Sequence, residues 1–149
     1  MKSVTVYIIG YKGDRWLPDC VASLHCASRA RLDLVLIDNV DNTVLEALSL
    51  DAFNSRVVKT PQPMGFADAH NFGVVAAPPR GDFSVLLNQD TRSQAGWIDA
   101  CVDCMQRHPE LGILSPGLRT YDDDGWDPNF LDCVKRAGEV DLDLSLIHI

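Results

Sequence analysis

The sequence predicts an α/β fold, a three-layer sandwich in which helices cover both faces of a mostly parallel sheet. Short apolar runs rich in β-branched residues recur along the chain, and segments with helical spacing separate them. Strands that are apolar throughout are buried on both faces, which is typical of parallel sheets, and the helices between them supply the crossover connections. The 149 residues are enough to bury one core of this kind without disulfide bonds.

The strands are predicted from apolar runs that end at turn-forming residues. Residues 4 to 9 combine β-branched and aromatic side chains and stop at Gly10, so they are predicted to form a buried strand. The later runs predicted as strands span residues 34 to 37, 57 to 58, 83 to 87 and, as a fifth candidate, 111 to 114.

The helices are predicted from apolar residues spaced at i, i+3, i+4 and i+7. This spacing holds from Leu17 to Leu24, where Asp14 is the expected cap, and Gly65 opens a helix that continues to about Ala76. The other predicted helices span residues 95 to 108 and, with a weaker pattern, 44 to 50.

Residues 1 to 143 are predicted to form one domain, although the hydrophobic residues after Ser115 show no clear periodicity. The last six residues, 144 to 149, resemble the in-frame reading of a transposon end used in preparing sequencing libraries. We therefore expect this tail to be an artefact and the natural protein to continue beyond about residue 143.

The charge of the chain excludes several classes of partner. The formal net charge is −8, of which −1 falls on residues 1 to 75 and −7 on residues 76 to 149. An acidic chain without a basic stripe repels phosphate backbones, so we expect no nucleic-acid partner. A bound phosphate would need a metal ion or backbone N–H groups.

No apolar run approaches the roughly 20 residues that a bilayer span requires, and no signal-peptide pattern follows Met1, so a cytoplasmic chain without a transmembrane segment is expected. An odd number of cysteines, five, fits that compartment. Cys101 and Cys104 have a C-x-x-C spacing inside a predicted helix. We interpret this pair as core packing on one helix face, with metal or redox chemistry as the alternative.

Polar clusters follow three of the predicted strands, at residues 10 to 12, 38 to 39 and 88 to 90. In an open parallel sheet the ligand crevice lies beyond the carboxyl ends of the strands, so these clusters are expected to converge. The chain has neither the G-x-G-x-x-G turn of dinucleotide-binding domains nor a G-x-x-x-x-G-K-[ST] loop. What remains is a nucleotide site without a glycine cradle.

Together these segments resemble the family 2 glycosyltransferases, and most nearly their rhamnosyltransferase-like branch. The resemblance runs from about residue 3 to residue 125, with order and spacing intact. The segments that carry it are residues 4–11 with Trp16-Leu17, residues 35–39, Gly65-Phe66-Ala67 with Asn71 and Gly73, residues 87–91 with Gly96-Trp97, and His108-Pro109.

The resemblance implies the N-terminal part of a GT-A fold and transfer of a sugar, with inversion at the anomeric carbon. The implied donor is a nucleotide diphosphate sugar linked to UDP or dTDP, with rhamnose as one candidate. The implied acceptor is a bacterial surface glycan or its lipid-linked precursor. The alternative from another class is a non-catalytic nucleotide-binding or interaction module on the same scaffold.

Two residues of the resemblance match positions that contact the nucleotide base. Asp38 matches the acidic residue that pairs with the ring N–H of uracil or thymine, and otherwise it is a turn or cap aspartate. Tyr11 matches the position that lies against the base, and the alternative is ordinary edge packing.

Asp90 matches the last position of the family's D-x-D-like motif, here Asn88-Gln89-Asp90. The implied cofactor is Mg²⁺ or Mn²⁺ with Asp90 as its ligand, because a hard cation that bridges both phosphates stabilises the leaving diphosphate. Asn88 contributes an amide contact without a charge. The alternative for Asp90 is a helix cap.

The helix that Gly65 opens is predicted to point free N–H groups at the crevice, where ribose or phosphate would bind. Asn71 is its expected polar contact or a mid-helix residue bonded to the backbone. His70 is interpreted as structural rather than catalytic. The general base of an inverting enzyme is expected beyond the end of this chain, because Asp122 and the two aspartates after it come too early and resemble a solvated loop.

Overall fold

The structure is a computed structural model and describes residues 2–40, 42–122 and 125–137. It confirms the α/β class, with four parallel strands in one sheet. The helices and strands, in chain order, are β1 (Val4–Gly10), α1 (Leu17–Ser23), β2 (Asp33–Asp38), β3 (Asn54–Lys59), α2 (Phe66–Ala76), β4 (Phe83–Leu87), α3 (Trp97–Arg107) and α4 (Pro128–Ala137). Two 3₁₀ segments, Leu24–Cys26 and Thr43–Ala47, lie in the connections.

The sheet has the order β3-β2-β1-β4. The chain steps outward from β1 to β2 and β3, then returns to the other side of β1 to form β4. The carboxyl ends of β1 and β4 therefore lie at a topological switch point, where open α/β sheets form their ligand crevices.

Both faces of the two central strands are buried, which is why their sequences are apolar without alternation. The even-numbered side chains, such as Ile8 and Leu36, pack in a cluster with α1 and with Trp97 and Ile98 of α3. The odd-numbered side chains pack in a second cluster with α2: Tyr7, Ile9, Val35, Ile37, Ala69 and Ala77. One cluster lies on each face of the sheet, as the predicted three-layer arrangement requires.

The fifth predicted strand is wrong. Residues 111 to 114 form no strand, and Ile113 is 90% exposed. Gly112 weakens strand structure and Pro116, soon after, has no N–H for a sheet ladder, so this apolar segment lies beside β4 without pairing.

Helix α4 was missed although Phe130, Leu131 and Val134 share one face of it, because the chain before it has no hydrophobic periodicity. Its N-terminus nevertheless has a clear local cause: Asp127 Oδ1 accepts hydrogen bonds from the backbone N–H groups of Asn129 (2.9 Å) and Phe130 (3.0 Å). Pro128 occupies the first helical position, which it favours. The tail at residues 144 to 149 lies outside the described residues.

Helix boundaries differ from the predictions in three places. Asp14 does not cap α1; Trp16 is the N-cap, because Gly13 O accepts from Trp16 N (3.0 Å) and Leu17 N (2.8 Å) in a preceding turn. Helix α3 begins after Gly96, whose φ of 74° is left-handed. The weaker helix predicted over residues 44 to 50 is a 3₁₀ segment.

The cysteine pair of α3 packs as the core interpretation predicts: Cys104 is buried and Cys101 packs against the first cluster. Burial raises the pKa of Cys101 to about 11. Among the described residues, no helix is long and apolar enough to cross a membrane.

Candidate functional site

A cavity of about 450 Å³ opens at the switch point, between the carboxyl ends of β1 and β4 and the N-terminus of α2. We call it the switch-point cavity. It is lined by Ile9, Tyr11, Asn39, Pro63, Met64, Phe66, Leu87, Asn88, Gln89 and Asp90.

The cavity brings together three of the six predicted site residues: Tyr11, Asn88 and Asp90. Gly65 is not on its lining, although its neighbour Phe66 is. The other two predicted residues, Asp38 and Asn71, do not line it either. Asn71 is exposed on α2, and Asp38 is buried at the end of β2.

Asp90 also borders a second cavity of about 490 Å³, which is lined by the residues that follow it in the chain and by residues 118–121 and 127. We call it the flanking cavity. Its lining is polar and includes residues 91–94, Leu118, Arg119, Thr120, Tyr121 and Asp127. Asp90 is therefore the residue that the two cavities share.

The turn that carries Asn88 and Asp90 is held by hydrogen bonds from Thr91 and from helix α1. The carbonyl oxygen of Asn88 accepts from Thr91 Oγ1 at 2.7 Å and from the Cys20 thiol of α1 at 3.5 Å. Burial raises the pKa of Cys20 to about 11, so at neutral pH the thiol keeps the proton that it donates.

Gln89 connects this turn to the loop after β1. Tyr11 N donates to Gln89 Oε1 at 3.0 Å, and Gln89 Nε2 donates to Tyr11 O at 2.8 Å. Tyr11 is 44% exposed, and the ammonium group of Lys12 lies 5.4 Å from the centroid of its ring. The main chain of Tyr11 is therefore held while its ring is free to meet a ligand.

Asp38 is engaged on one side of its carboxylate. Its Oδ1 accepts from Asn42 N at 2.9 Å and from Asn42 Nδ2 at 2.6 Å. The same amide donates to Gly10 O at 2.7 Å and accepts from Gly13 N at 3.0 Å. Within the described ranges, no hydrogen bond reaches Oδ2 of Asp38.

Asn39 positions the approach to α2. Its Oδ1 accepts from Met64 N (2.9 Å) and from Thr60 Oγ1 (3.1 Å), and its Nδ2 donates to Met64 O (2.8 Å). These bonds fix the chain just before Gly65, the N-cap of α2. A Cβ at Gly65 would meet nothing closer than Asp68 at 3.9 Å, so space does not require glycine there.

His70 is buried beneath the cavity wall. Its ring lies edge-on to Phe66, with the centroids 4.6 Å apart, and neither ring nitrogen has a hydrogen-bond partner in the described part of the chain. Burial lowers the pKa of His70, because the charged form loses its water. This environment fits the structural interpretation of His70.

Sequence reasoning assigned no role to Asn39, Asn42 and Gln89, whose side-chain amides organise the site. The available signal was their position, since each follows closely after the end of a strand. Asparagine side chains there commonly bond to the local backbone. The bonds from Asn42 and Gln89 to loops distant in sequence have no such signal.

The residues at Asp90 fit a divalent cation that shares its coordination with a ligand. Among the described residues there is no group of three His, Cys, Asp or Glu side chains that would hold a metal alone. Asp90 is exposed on the cavity rim with Asn88 close by, and both carry the oxygen ligands that hard cations prefer. Mg²⁺ is commonly held by one or two carboxylates together with phosphates and water.

The fold is shared with solved glycosyltransferase structures. The chain superposes on S. aureus TarS with a TM-score of 0.70 at 14% sequence identity, covering 85% of this chain and 23% of TarS. For TarS 1-349 in complex with UDP the TM-score is 0.70 at 14% identity, covering 84% of this chain and 38% of that one. For TarS 1-349 in complex with UDP-GlcNAc the TM-score is 0.67 at 14% sequence identity, covering 84% of this chain and 37% of that one.

These similarities confirm a GT-A-like glycosyltransferase fold, and this chain spans about a quarter of the length of TarS. No protein-family profile matches the sequence, and no curated protein matches it significantly.

Proposed function

We propose that this chain is the donor-binding part of an inverting family 2 glycosyltransferase that binds a UDP- or dTDP-linked sugar in the switch-point cavity. The observation that carries the proposal is the placement of Tyr11, Asn88 and Asp90 around one cavity at the switch point. A fold shared with TarS, which has been solved with UDP and with UDP-GlcNAc, supports it.

Asp90, with Asn88 beside it, is the proposed ligand for Mg²⁺ or Mn²⁺. When bound, the cation would neutralise charge that develops on the leaving diphosphate. Asp90 supplies one carboxylate, so the chain alone should hold the metal weakly and the nucleotide should strengthen it. The N-terminus of α2, at Gly65 and Phe66, directs backbone N–H groups that suit ribose or phosphate oxygens.

The base is proposed to lie against Tyr11, which is one of two exposed aromatic residues on the cavity lining, the other being Phe66. Asp38 is proposed to accept from the ring N–H of uracil or thymine through Oδ2, since its Oδ1 is already used by Asn42. Asp38 and Asn71 both lie off the cavity lining, Asp38 buried at the end of β2 and Asn71 exposed on α2, so the cavity supports these two members of the set least.

The flanking cavity is the proposed place of the acceptor, a glycan or its lipid-linked precursor. It shares Asp90 with the switch-point cavity, so an acceptor hydroxyl there would lie next to the proposed metal site. Rhamnose stays our candidate for the sugar on the strength of the sequence resemblance. We assign no general base.

The proposal is tested by titrating the chain with UDP, dTDP and GDP, with and without Mn²⁺. We expect the pyrimidine nucleotides to bind more tightly with the metal, and Asp90→Ala to weaken that binding by about 2–4 kcal/mol, as loss of one preorganised charged group does. Asp103→Ala removes an exposed carboxylate of α3 outside both cavities and serves as the matched control. Binding that ignores both metal and Asp90→Ala would favour the non-catalytic module.

A further inference from the structure

The side chain of Gln89 extends the pairing of β1 with β4 beyond the point where the main chains separate. The parallel register between these strands ends at Ile8 and Leu87. Past that point the amide of Gln89 takes the place of a peptide group, with one bond from Tyr11 N at 3.0 Å and one to Tyr11 O at 2.8 Å. One side chain thus satisfies both main-chain groups of Tyr11.

The loop after β1 is built around this amide. A Cβ at Gly13 would come within 2.5 Å of Gln89 Oε1, so the glycine leaves the space in which the amide sits. Asn42 holds the N–H of Gly13 from the other side at 3.0 Å. The loop that carries Tyr11 therefore lies between two amide side chains, and one of them belongs to the turn of Asp90.

We propose that Gln89 couples the metal site at Asp90 to the nucleotide site at Tyr11. Gln89 stands between Asn88 and Asp90 in sequence, so its position changes with theirs. With a metal ion and a diphosphate held at Asp90, the turn of residues 88–90 would be constrained beyond its own hydrogen bonds, and the two bonds of Gln89 would pass that constraint to the main chain of Tyr11, against which the base would lie. By linkage, a base against Tyr11 strengthens metal binding by the same factor.

Gln89 is thus a positioning residue, and this inference rests on the proposed function. The measured quantity is the coupling ratio, defined as the Kd for UDP without Mn²⁺ divided by the Kd with Mn²⁺. We expect Gln89→Ala to lower this ratio by about fivefold or more, the lower end of ordinary site-to-site coupling. Binding of bare pyrophosphate with Mn²⁺, which makes no use of Tyr11, should change little.

Two variants sharpen the test. Gln89→Met keeps a side chain of similar length and adds no charge but makes neither hydrogen bond to Tyr11, so its coupling ratio should fall as far as that of Gln89→Ala. Gln106→Ala removes an exposed amide of α3 outside both cavities and should leave the ratio unchanged. In the free protein, hydrogen exchange at the Tyr11 amide should be faster in Gln89→Ala, which checks the clamp without any ligand.

The outcomes separate the two proposals. A wild-type chain that binds UDP without regard to Mn²⁺, or does not bind it, overturns the proposed function and this inference together. A wild-type chain with metal-enhanced binding whose ratio persists in Gln89→Ala overturns the inference alone. Equal weakening of UDP with and without metal also overturns it, because Gln89 would then serve only the nucleotide.

Discussion

At the scale of single residues, the two carboxylate oxygens of Asp38 have different roles. One accepts hydrogen bonds that stabilise the loop, and the other is proposed to contact the nucleotide base. Oδ1 holds Asn42 through two hydrogen bonds, and these secure the loop after β2. The proposed contact to the base uses Oδ2. The two roles are separable because Asn42 can be changed without removing the carboxylate.

We predict that Asp38→Ala weakens UDP binding by a factor larger than that for pyrophosphate with Mn²⁺, because pyrophosphate carries no base. Asn42→Ala removes the side-chain hydrogen bond from Asn42 Nδ2 to Asp38, worth about 1.5–3 kcal/mol for a charged partner, and the bonds of the same amide to Gly10 and Gly13. It keeps the bond from the Asn42 backbone N–H to Oδ1 and leaves Oδ2 in place. Calorimetric titration of both variants with both ligands provides the measurement. If the two variants lose UDP affinity equally, Asp38 is structural.

Site residues that stand close to the end of a strand were predictable from sequence, and those whose side chains bond to distant parts of the chain were not. Tyr11, Asn88 and Asp90 were located from sequence because each directly follows a strand, and strand ends converge in a parallel sheet. Gln89 and Asn42 reach main-chain groups 78 and 29 residues away in sequence, at Tyr11 and Gly13. Such bonds depend on the folded geometry of two loops, which no local pattern encodes.

At the scale of elements, α2 approaches the sheet closely at Gly73. A Cβ there would lie 2.7 Å from Ile37 Cγ1 and still closer to its Cδ1, and the Ile37 side chain is fully buried. The contact explains why a glycine stands inside a helix, where it ordinarily costs about 1 kcal/mol relative to alanine.

We predict that Gly73→Ala lowers the free energy of unfolding by about 1–2 kcal/mol, since overpacking against Ile37 outweighs the gain in helix propensity. Gly112→Ala is the matched control, because a Cβ there meets nothing within 4 Å, and its effect should stay within about 0.5 kcal/mol. Urea unfolding measures both. If Gly73→Ala were as stable as wild type, α2 would be able to shift away from Ile37 without loss of stability.

The buried His70 of the same helix predicts a pH dependence of stability. Burial lowers its pKa below the ordinary value of 6.5, so the unfolded chain binds a proton more readily than the folded one. Stability is therefore lost as the pH falls below about 6.5, whereas above that value His70 is neutral in both states.

Comparison with His70→Met, which removes the titrating ring, isolates this effect. We expect the melting temperature of His70→Met to rise relative to that of wild type as the pH is lowered from about 8 to about 5, a range across which His70 becomes protonated in the unfolded chain. Other titrating groups are common to both proteins and cancel. If the difference in melting temperature between the two proteins stayed constant across that range, protonation of His70 would have no effect on stability.

Elements bounded by clear turn residues were predictable, whereas the helix that follows the irregular segment after Ser115 was not. The runs in β1, β2 and β4 and the helix from Gly65 lie where expected. The segment at residues 111 to 114 is apolar but does not pair, because pairing depends on a partner edge and not on composition. Helix α4 depends on the cap at Asp127, a signal that a search for periodicity overlooks.

At the scale of the whole molecule, the sheet order came from the structure, because a single sequence does not say on which side of β1 the fourth strand lies. That placement creates the switch point and hence the cavity. It also leaves β4 with one paired neighbour among the described strands, and α2 does not cover the face on which Leu86 is 57% exposed.

We predict self-association of the chain at high concentration through the edge of β4 and its exposed Leu86. Leu86→Lys should reduce the rise of apparent mass with concentration in light scattering. Val85→Lys is the control, because Val85 packs against the first cluster, and a lysine there should instead destabilise the fold. An apparent mass that is constant in wild type would refute the prediction.

The central claim is that the switch-point cavity holds a nucleotide diphosphate with a metal at Asp90. Its most direct test is NMR of the labelled chain titrated with UDP, first with Mg²⁺ for chemical shifts and then with trace Mn²⁺ for relaxation. The account predicts shifts at residues 11–13, 64–66 and 88–91, with the strongest paramagnetic broadening at the amide of Asp90. Shifts confined to other surfaces, or broadening far from Asp90, would contradict it.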